Sequence, residues 1–166
     1  MLTGCALSDK VTSEALEKAL NKEQVQGTID VDYKYDNDLN GKAKNVWTKE
    51  LKDKTITPST TALTPVTVNE KDYLYYVVER PEDYKTFGGW ITAAKALDKA
   101  VETQGIEKTV GASSTDVKVL NSSKSTATSA KAKVNFGVHY DSKKGADDKT
   151  VNYVVIVFEA APKAKA

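Results

Sequence analysis

The segment that most constrains the fold is VNYVVIVFEA, residues 151–160, which is the most apolar stretch of the chain. β-Branched and aromatic residues dominate it, and these residue types favour strands. A strand of this composition belongs in the interior of a sheet. We therefore expect residues 151–160 to form a central strand, with the other elements arranged around it.

Three further segments predict long strands, and one predicts a short strand. TIDVDYKY, residues 28–35, alternates apolar and polar side chains, and AKAKVNFGVHY, residues 130–140, alternates over its full length. VTVNEKDYLYYVVER, residues 66–80, is apolar on both faces and predicts one continuous buried strand. TDVKVL, residues 115–120, predicts a short strand, and residues 141–150 predict a hairpin loop.

Helical spacing of apolar residues occurs in two places. Residues 8–23 predict a short helix, which Gly27 ends, and residues 91–105 predict the main helix. The apolar positions in the two helices are Val11, Ala15, Leu16, Ala19 and Leu20, then Ile91, Ala94, Leu97, Ala100 and Val101. Pro81 is expected to open a further helix that Gly88-Gly89 interrupts. Residues 42–56 fit a strand or a short helix equally well.

This order of elements predicts a single α+β domain over residues 1–166. We expect a mostly antiparallel sheet or sandwich, with the main helix inserted between two β halves and a short helix at the N-terminus. Residues 1–10 and 161–166 are expected to act as contact arms or tails, and residues 57–65 form a loop rich in Thr and Pro.

Charge and composition argue against several functional classes. The net charge is +1 and Arg80 is the only arginine, which argues against specific nucleic-acid binding. No apolar run approaches the length of a membrane span. A single cysteine allows no intramolecular disulfide, and a single histidine, His139, makes a His-based metal site or a Ser/His/Asp triad hard to assemble.

The tetrapeptide LTGC, residues 2–5, matches the lipobox at which a bacterial lipoprotein is cleaved and acylated on cysteine. A lipobox functions behind a charged region and an apolar region, and here Met1 directly precedes Leu2. Two interpretations stay open. We favour a chance tetrapeptide at a natural start; the alternative is a lipid anchor at Cys5, with residues 6–10 beginning a polar tether.

Asp36, Asp38 and Asn40, followed by Gly41, form D-x-D-x-N-G, the opening half of a calcium-binding loop. The loop should end in a glutamate at its twelfth position, where this chain has Trp47. The favoured interpretation is therefore a hairpin turn, since Asn-Gly tolerates unusual backbone angles. A weak calcium site is the alternative.

Other chemically suggestive residues have simple structural explanations. Asp30 and Asp32 share one strand face, which predicts a solvated face more than an acid–base pair. His139 is expected at the surface, and Gly88-Gly89-Trp90 is expected to be a bend that seats the tryptophan and not a phosphate-binding turn. The eight tyrosines suit an interface and the rim of a core equally well.

Together these features favour a non-enzymatic structural subunit that binds copies of itself, without catalytic residues or cofactors. The arrangement of one main helix between two β halves resembles the tail-tube proteins of bacteriophages in layout, without a matched motif. That resemblance implies a virion component (tail tube, capsid or decoration protein) made in the host cytoplasm, with other virion proteins as further partners. The alternative is a surface lipoprotein or extracellular binding module anchored through Cys5. An enzyme built from scattered Asp, Tyr and Lys residues is a third option.

Overall fold

A five-stranded sheet forms the centre of the protein in this computed structural model, which describes residues 2–27, 31–60, 62–104, 132–145 and 147–159. Its strands are β1 (Val31–Tyr35), β2 (Thr64–Val68), β3 (Lys71–Glu79), β4 (Ala132–Lys144) and β5 (Thr150–Glu159). Their order is β1-β4-β5-β3-β2, so the apolar segment 151–160 supplies the middle strand, as its composition predicts. The predicted strand 115–120 and the tail 161–166 lie outside the described residues.

The sheet is mixed, because β1 pairs with β4 in parallel and the three other pairs are antiparallel. The predicted α+β class is confirmed, and a single sheet replaces the sandwich alternative. The hairpin between β4 and β5 is shorter than the predicted loop 141–150, because β4 continues to Lys144.

Helices cover both faces of this sheet. Helix α1 (Leu2–Leu20) and helix α3 (Phe87–Gln104) contact each other on one face, which we call the α1–α3 face. On the opposite face, the α2 face, lie a 3₁₀ turn (Asn37–Leu39), helix α2 (Asn40–Val46) and a π-helical turn (Trp47–Leu51). The ambiguous segment 42–56 is therefore helical over its first ten residues, and α1 begins earlier than predicted.

The α1–α3 face carries the larger core. Trp90, Leu97 and Leu16 are fully enclosed there against Phe136 and Ile156 of the sheet. The predicted apolar stripe of α3 is buried, with Ile91 at its margin. The prediction for α1 was wrong at its start: Val11 is 42% exposed, whereas the neighbouring Thr12 and Ser13 are buried. The hydroxyl of Ser13 is satisfied by a hydrogen bond of 2.9 Å with the Tyr140 hydroxyl, which makes its burial acceptable.

The α2 face has a smaller core, built around Trp47, Val46 and the β5 residues Tyr153, Val155 and Val157. Helix α2 sits close to β4, and a glycine makes this possible. A Cβ added to Gly137 would lie 2.5 Å from the carbonyl carbon of Leu39. Only the bare backbone of glycine allows the chain to approach the strand at this point.

Residues 66–80, predicted as one strand, form a hairpin instead. Strands β2 and β3 pair in antiparallel fashion across a two-residue turn at Asn69 and Glu70, whose φ angles are 51° and 65°. Positive φ at both positions is typical of the turn that matches strand twist in two-residue hairpins. The polar sequence NEKD was the local signal for this turn.

The predicted break at Gly88-Gly89 was also wrong, since both glycines lie inside α3, which begins at Phe87. Pro81 opens no helix; residues 82–85 form turns that pack on the first turn of α3. A Cβ on Gly89 would lie 2.1 Å from the carbonyl oxygen of Asp83, so glycine is needed for this close contact. Trp90 is seated as expected, and its indole N–H donates to the carbonyl of Tyr84 at 2.8 Å.

Side chains close the outer edge of β1. The Gln26 amide accepts from the Val31 N–H at 2.7 Å and donates to the Val31 carbonyl at 2.8 Å. The Asn21 amide does the same for Tyr33, at 2.9 Å and 2.8 Å. Glu17 accepts from the N–H of Tyr35 at 2.8 Å. These side chains occupy the positions at which another strand would bind.

The opposite edge of the sheet, β2, is closed by different means. Val68 and Lys71 close a two-residue hairpin, so the alternate residues Pro65 and Thr67 direct their backbone groups outward. Pro65 has no N–H to donate. The carbonyl of Thr67 accepts from the Lys49 ammonium at 2.9 Å. Neither edge strand therefore presents an open ladder for strand addition.

Candidate functional site

Helix α3 places two acidic side chains on its buried face. Asp98 and Glu102 stand four residues apart, one helical turn, beside the core residues Leu97 and Val101. Asp98 is 1% exposed and Glu102 is 8% exposed. Buried carboxyls are rare unless their oxygens are bonded, so this pair marks the most unusual chemistry in the described part of the chain.

The partners of the two carboxyls come from β1 and from the link between α1 and β1. The Tyr33 hydroxyl donates to Asp98 Oδ1 at 2.5 Å. The N–H of Gly27 donates to Glu102 Oε2 at 2.9 Å and to Asp98 Oδ2 at 3.1 Å. A Cβ on Gly27 would lie 2.6 Å from Glu102 Oε2, so glycine is required for this approach. We call these four residues the carboxyl cluster.

Burial changes the acidity of the cluster. The pKa of Asp98 rises to about 7, first because of burial and next because of a hydrogen bond with Glu102, while the bonds from Tyr33 and from the Gly27 N–H oppose the rise. Burial also raises the pKa of the Tyr33 hydroxyl well above its ordinary value, with the charge of Asp98 as the next cause. The cluster can therefore hold or lose a proton near neutral pH.

A second candidate is a cleft of about 390 Å³ on the α2 face. The π-helical turn and β4 form its walls, with Trp47, His139 and Asp141 among its lining residues. The His139 Nε2 lies 3.0 Å from Asp141 Oδ2, and the imidazole lies 6.3 Å from the Trp47 ring. π-Helical turns are rare in proteins, and those that occur are often found at functional sites. The cleft is therefore a second candidate binding site.

The position of His139 corrects the expectation of a surface residue. Its side chain is only 19% exposed, because Trp47 packs beside it on the α2 face. The alternation of β4 was nevertheless right, since Val138 and Tyr140 lie on the opposite face. The sequence pattern could not show that a helical turn would cover the polar side of this strand.

Lys143 borders the same cleft and has a structural role. Its ammonium donates to the carbonyl of Lys52 at 3.2 Å and to that of Leu51 at 3.5 Å. It also donates to the carbonyl of Lys54. These carbonyls lie at or just beyond the C-terminal end of the π-helical turn, where a cation is favourable.

The residues of the predicted hairpin turn and calcium loop form neither structure. Asp36 caps the 3₁₀ turn by accepting from the N–H of Asp38 at 3.0 Å, and the chain then continues into α2. Asn40 faces inward, where it accepts from the N–H of Val138 at 3.0 Å and donates to the Tyr35 hydroxyl at 2.5 Å. The D-x-D-x-N-G pattern is a helix start, and aspartate and asparagine favour that position as well as turns.

The remaining candidates are distributed over the molecule. Asp32 is exposed on β1, while Asp30 lies outside the described residues. The backbone of Cys5 lies in α1, so residues 6–10 belong to a helix and not to an extended tether. Gly88 and Gly89 are part of α3. The structure therefore brings none of these residues into the carboxyl cluster.

The tyrosines belong to the core of this chain. Tyr33, Tyr73, Tyr76 and Tyr153 are buried, and the other four are partly buried. Several of their hydroxyls have internal partners: that of Tyr76 donates to the carbonyl of Thr60 at 2.9 Å, and that of Tyr33 donates to Asp98. Between the two interpretations of the tyrosines, the structure favours core packing.

Asp98 and Glu102 are not among the residues predicted from the sequence, although a local signal for them is present. Both acids directly follow apolar positions of the predicted stripe of α3, at Leu97 and Val101, and their spacing of four places them on one side of the helix. What the sequence could not supply is the partner, because Gly27 and Tyr33 are more than 60 residues away.

The described part of the chain contains neither a metal-binding cluster nor a membrane-spanning helix. Over the residues that the structure describes, no group of three or more His, Cys, Asp or Glu side chains could hold a metal ion. In the same residues, no helix has the length and apolar character needed to cross a membrane. Comparison of the chain with protein-family models, with curated proteins and with solved structures finds no match.

Proposed function

We propose that this protein is a non-enzymatic structural subunit of a protein assembly, with copies of itself as its principal partners. The observation that supports this most is the use of its polar side chains. Asp98, Glu102, Asn40 and Lys143 each bond to the backbone of another element. These side chains hold the scaffold together and are not directed at a substrate.

The closed sheet edges indicate which surfaces would contact neighbouring subunits. A protein that reaches high local concentration in an assembly must suppress uncontrolled strand pairing, and both edges here are blocked by side chains or proline. Copies would therefore meet through helices and loops. This differs from assemblies that extend a sheet from one subunit to the next.

Among assembly subunits, we propose a bacteriophage virion component, made in the host cytoplasm, as the leading class. The support is the layout resemblance to tail-tube proteins, together with the main helix α3 between the strands β1–β3 and β4–β5. Capsid and decoration proteins are the other members of this class. The geometry of the assembled particle would distinguish the three.

Size-exclusion chromatography with light scattering, followed by negative-stain electron microscopy of each peak, tests the proposal. We expect the 166-residue protein to form rings, tubes, shells or a defined oligomer as its concentration rises. A monomer at every concentration would overturn it. Rings and tubes would indicate a tail tube, and shells a capsid protein.

The alternative is a surface lipoprotein anchored through Cys5, and it has its own test. The gene with its natural upstream region would be expressed in bacteria supplied with an alkyne-bearing fatty acid. Under the assembly proposal, neither the native protein nor the Cys5→Ser control incorporates the label. Label on the native protein that is lost in Cys5→Ser would establish the lipoprotein instead.

A further inference from the structure

Residues 40 and 41 form the only Asn-Gly step in the chain. Asparagine before glycine is prone to deamidation, because glycine has no Cβ to hinder attack of its backbone nitrogen on the preceding side chain. A bond forms between the Gly41 nitrogen and Asn40 Cγ, and the side-chain amide nitrogen leaves with the Gly41 proton as ammonia. Water then opens the cyclic imide to aspartate or to isoaspartate, in which the backbone runs through the side-chain carbons.

The folded protein holds Asn40 away from this reaction. Its backbone is helical, with φ −61° and ψ −38°, and the attack requires the Gly41 nitrogen to turn out of that geometry toward the side chain. Both side-chain atoms are also engaged: Nδ2 donates to the Tyr35 hydroxyl at 2.5 Å, and Oδ1 accepts from the Val138 N–H at 3.0 Å. The reaction therefore requires the start of α2 to leave β1 and β4.

Helix α2 is an element from which such opening is expected. It has only 7 residues, so its helical geometry depends on contact with the sheet, including the close approach of Leu39 to Gly137. Asn40 is partly exposed and Gly41 is exposed, so water reaches the step. Short elements held by few contacts open locally at a lower free energy than the core of the same protein.

We propose that Asn40 is a deamidation site gated by the docking of α2 on β4, and that its isoaspartate product prevents α2 from docking again. An aspartate at residue 40 accepts from the Val138 N–H and also from the Tyr35 hydroxyl, which donates as readily as it accepts. Isoaspartate instead inserts a carbon into the backbone at the start of the helix, where regular hydrogen bonding cannot continue. Water is the only co-reactant, and the site does not depend on the proposed assembly.

Deamidation of the full-length protein is measured by mass spectrometry of its peptides after incubation at mildly alkaline pH and physiological temperature. We expect Asn40 to react at least about tenfold more slowly in native buffer than in urea, where α2 is unfolded. Asn45 is an internal control, because it is exposed in the same helix and the branched Val46 hinders the attack. The Gly41→Ala variant should suppress the reaction of Asn40 in urea, where differences in folding no longer contribute.

Two variants test the gate. Tyr35→Phe removes the hydroxyl and keeps the ring that packs 5.8 Å from Phe136, and loss of one hydrogen bond should raise the native rate about fivefold. Gly137→Ala, which displaces α2 from β4, should raise it by about fivefold or more. Gly88→Ala is the matched control, because its Cβ meets only Thr86 Oγ1, at 3.9 Å, and it should react as the native protein does. In urea all three variants should react alike.

Equal rates for Asn40 in native buffer and in urea would overturn the gate, as would native rates that stay unchanged in both Tyr35→Phe and Gly137→Ala. The product has its own test. The deamidated fraction, isolated by its added negative charge and shown to contain isoaspartate, should exchange its Val138 amide proton faster than the Asn40→Asp variant does. Equal exchange would refute the claim that isoaspartate keeps α2 from docking.

Discussion

The chain has two tryptophans, and each lies on a different face of the sheet. Trp90 is fully enclosed on the α1–α3 face, with its indole N–H bonded to the Tyr84 carbonyl. Trp47 lies on the α2 face, where it packs against Tyr153 and His139 and lines the cleft. The Trp90 ring is surrounded by core, whereas the Trp47 ring has core on one side and an open cleft on the other.

The two faces are stabilised in different ways. Helices α1 and α3 have 19 and 18 residues, and the apolar side chains that they bury include Leu16 and Leu20 of α1 and Leu97 and Val101 of α3. Helix α2 has only 7 residues, too few for a stable helix without tertiary contacts. The α2 face therefore depends on individual contacts, such as Gly137 against Leu39, Asn40 with Val138, and Lys143 with the π-helical turn.

Replacement of each tryptophan by alanine should give the largest effects and the sharpest contrast. We expect Trp90→Ala to lower the free energy of unfolding by about 4–5 kcal/mol, because a fully enclosed side chain leaves a cavity. Trp47→Ala should lower it by about 3 kcal/mol or less, because the adjacent cleft allows water or side chains to fill the space. Urea unfolding of both variants measures the difference, and an equal or larger loss for Trp47→Ala would contradict this view of the two faces.

Gly137→Ala should give the next largest effect, restricted at first to the α2 face. The added methyl group would lie against the Leu39 backbone, and relief of that overlap requires α2 to move, at a cost of about 1–3 kcal/mol. Gly41→Ala is the matched control, because a Cβ at this position in α2 meets no atom within 4 Å. There we expect stabilisation of about 0.5–1 kcal/mol, from the higher helix propensity of alanine. If thermal unfolding ranks the two variants in the reverse order, the close approach at Gly137 does not limit this face.

Asn21→Ala should lower the free energy of unfolding by about 1 kcal/mol, because two hydrogen bonds between α1 and Tyr33 of β1 are lost at a water-accessible edge. The exposed β1 edge should also become able to pair with other chains. Asn135→Ala, at an exposed position of β4, is the control. Light scattering at increasing concentration should show new association for Asn21→Ala alone. Equal association in both variants would indicate that the Asn21 amide does not protect the edge.

Lys143→Met should have the smallest effect and lower the free energy of unfolding by less than about 1 kcal/mol. The hydrogen bonds of the Lys143 ammonium lie near the surface, where they contribute little. Its influence should be local: amide exchange in the π-helical turn should accelerate while global stability hardly changes. Lys144→Met provides the comparison, because that ammonium pairs only loosely, at 3.7 Å, with the exposed Asp148. Equal exchange in the two variants would mean that the Lys143 cap does not hold the turn.

Prediction from sequence worked best where one periodic signal was enough. The alternation in β4, the apolar β5 and the apolar stripe of α3 are local patterns, and burial follows them closely. Prediction from sequence was wrong where the same residues are compatible with several local structures. Asp36–Gly41 suits a hairpin turn, a metal loop and a helix start, and only the contact of Leu39 and Asn40 with β4 selects the helix.

The carboxyl cluster shows the same limit for the candidate site. The spacing of Asp98 and Glu102 is visible in the sequence, but an acid beside an apolar stripe usually faces solvent. Their burial depends on Gly27 and Tyr33, which the sheet brings against α3 from a different part of the chain. No local pattern contains that information, so both residues were overlooked.

Residue order alone thus established a strand-rich α+β chain, with residues 151–160 at its centre and a main helix between strands, because hydrophobic periodicity acts over a few neighbouring residues. Three features emerged only from the tertiary structure: the helical cover of the α2 face, the closed sheet edges and the acidity of Asp98. Each depends on contacts between residues far apart in the chain. Burial and charge are set by the groups that folding brings together, and those groups are not neighbours in the sequence.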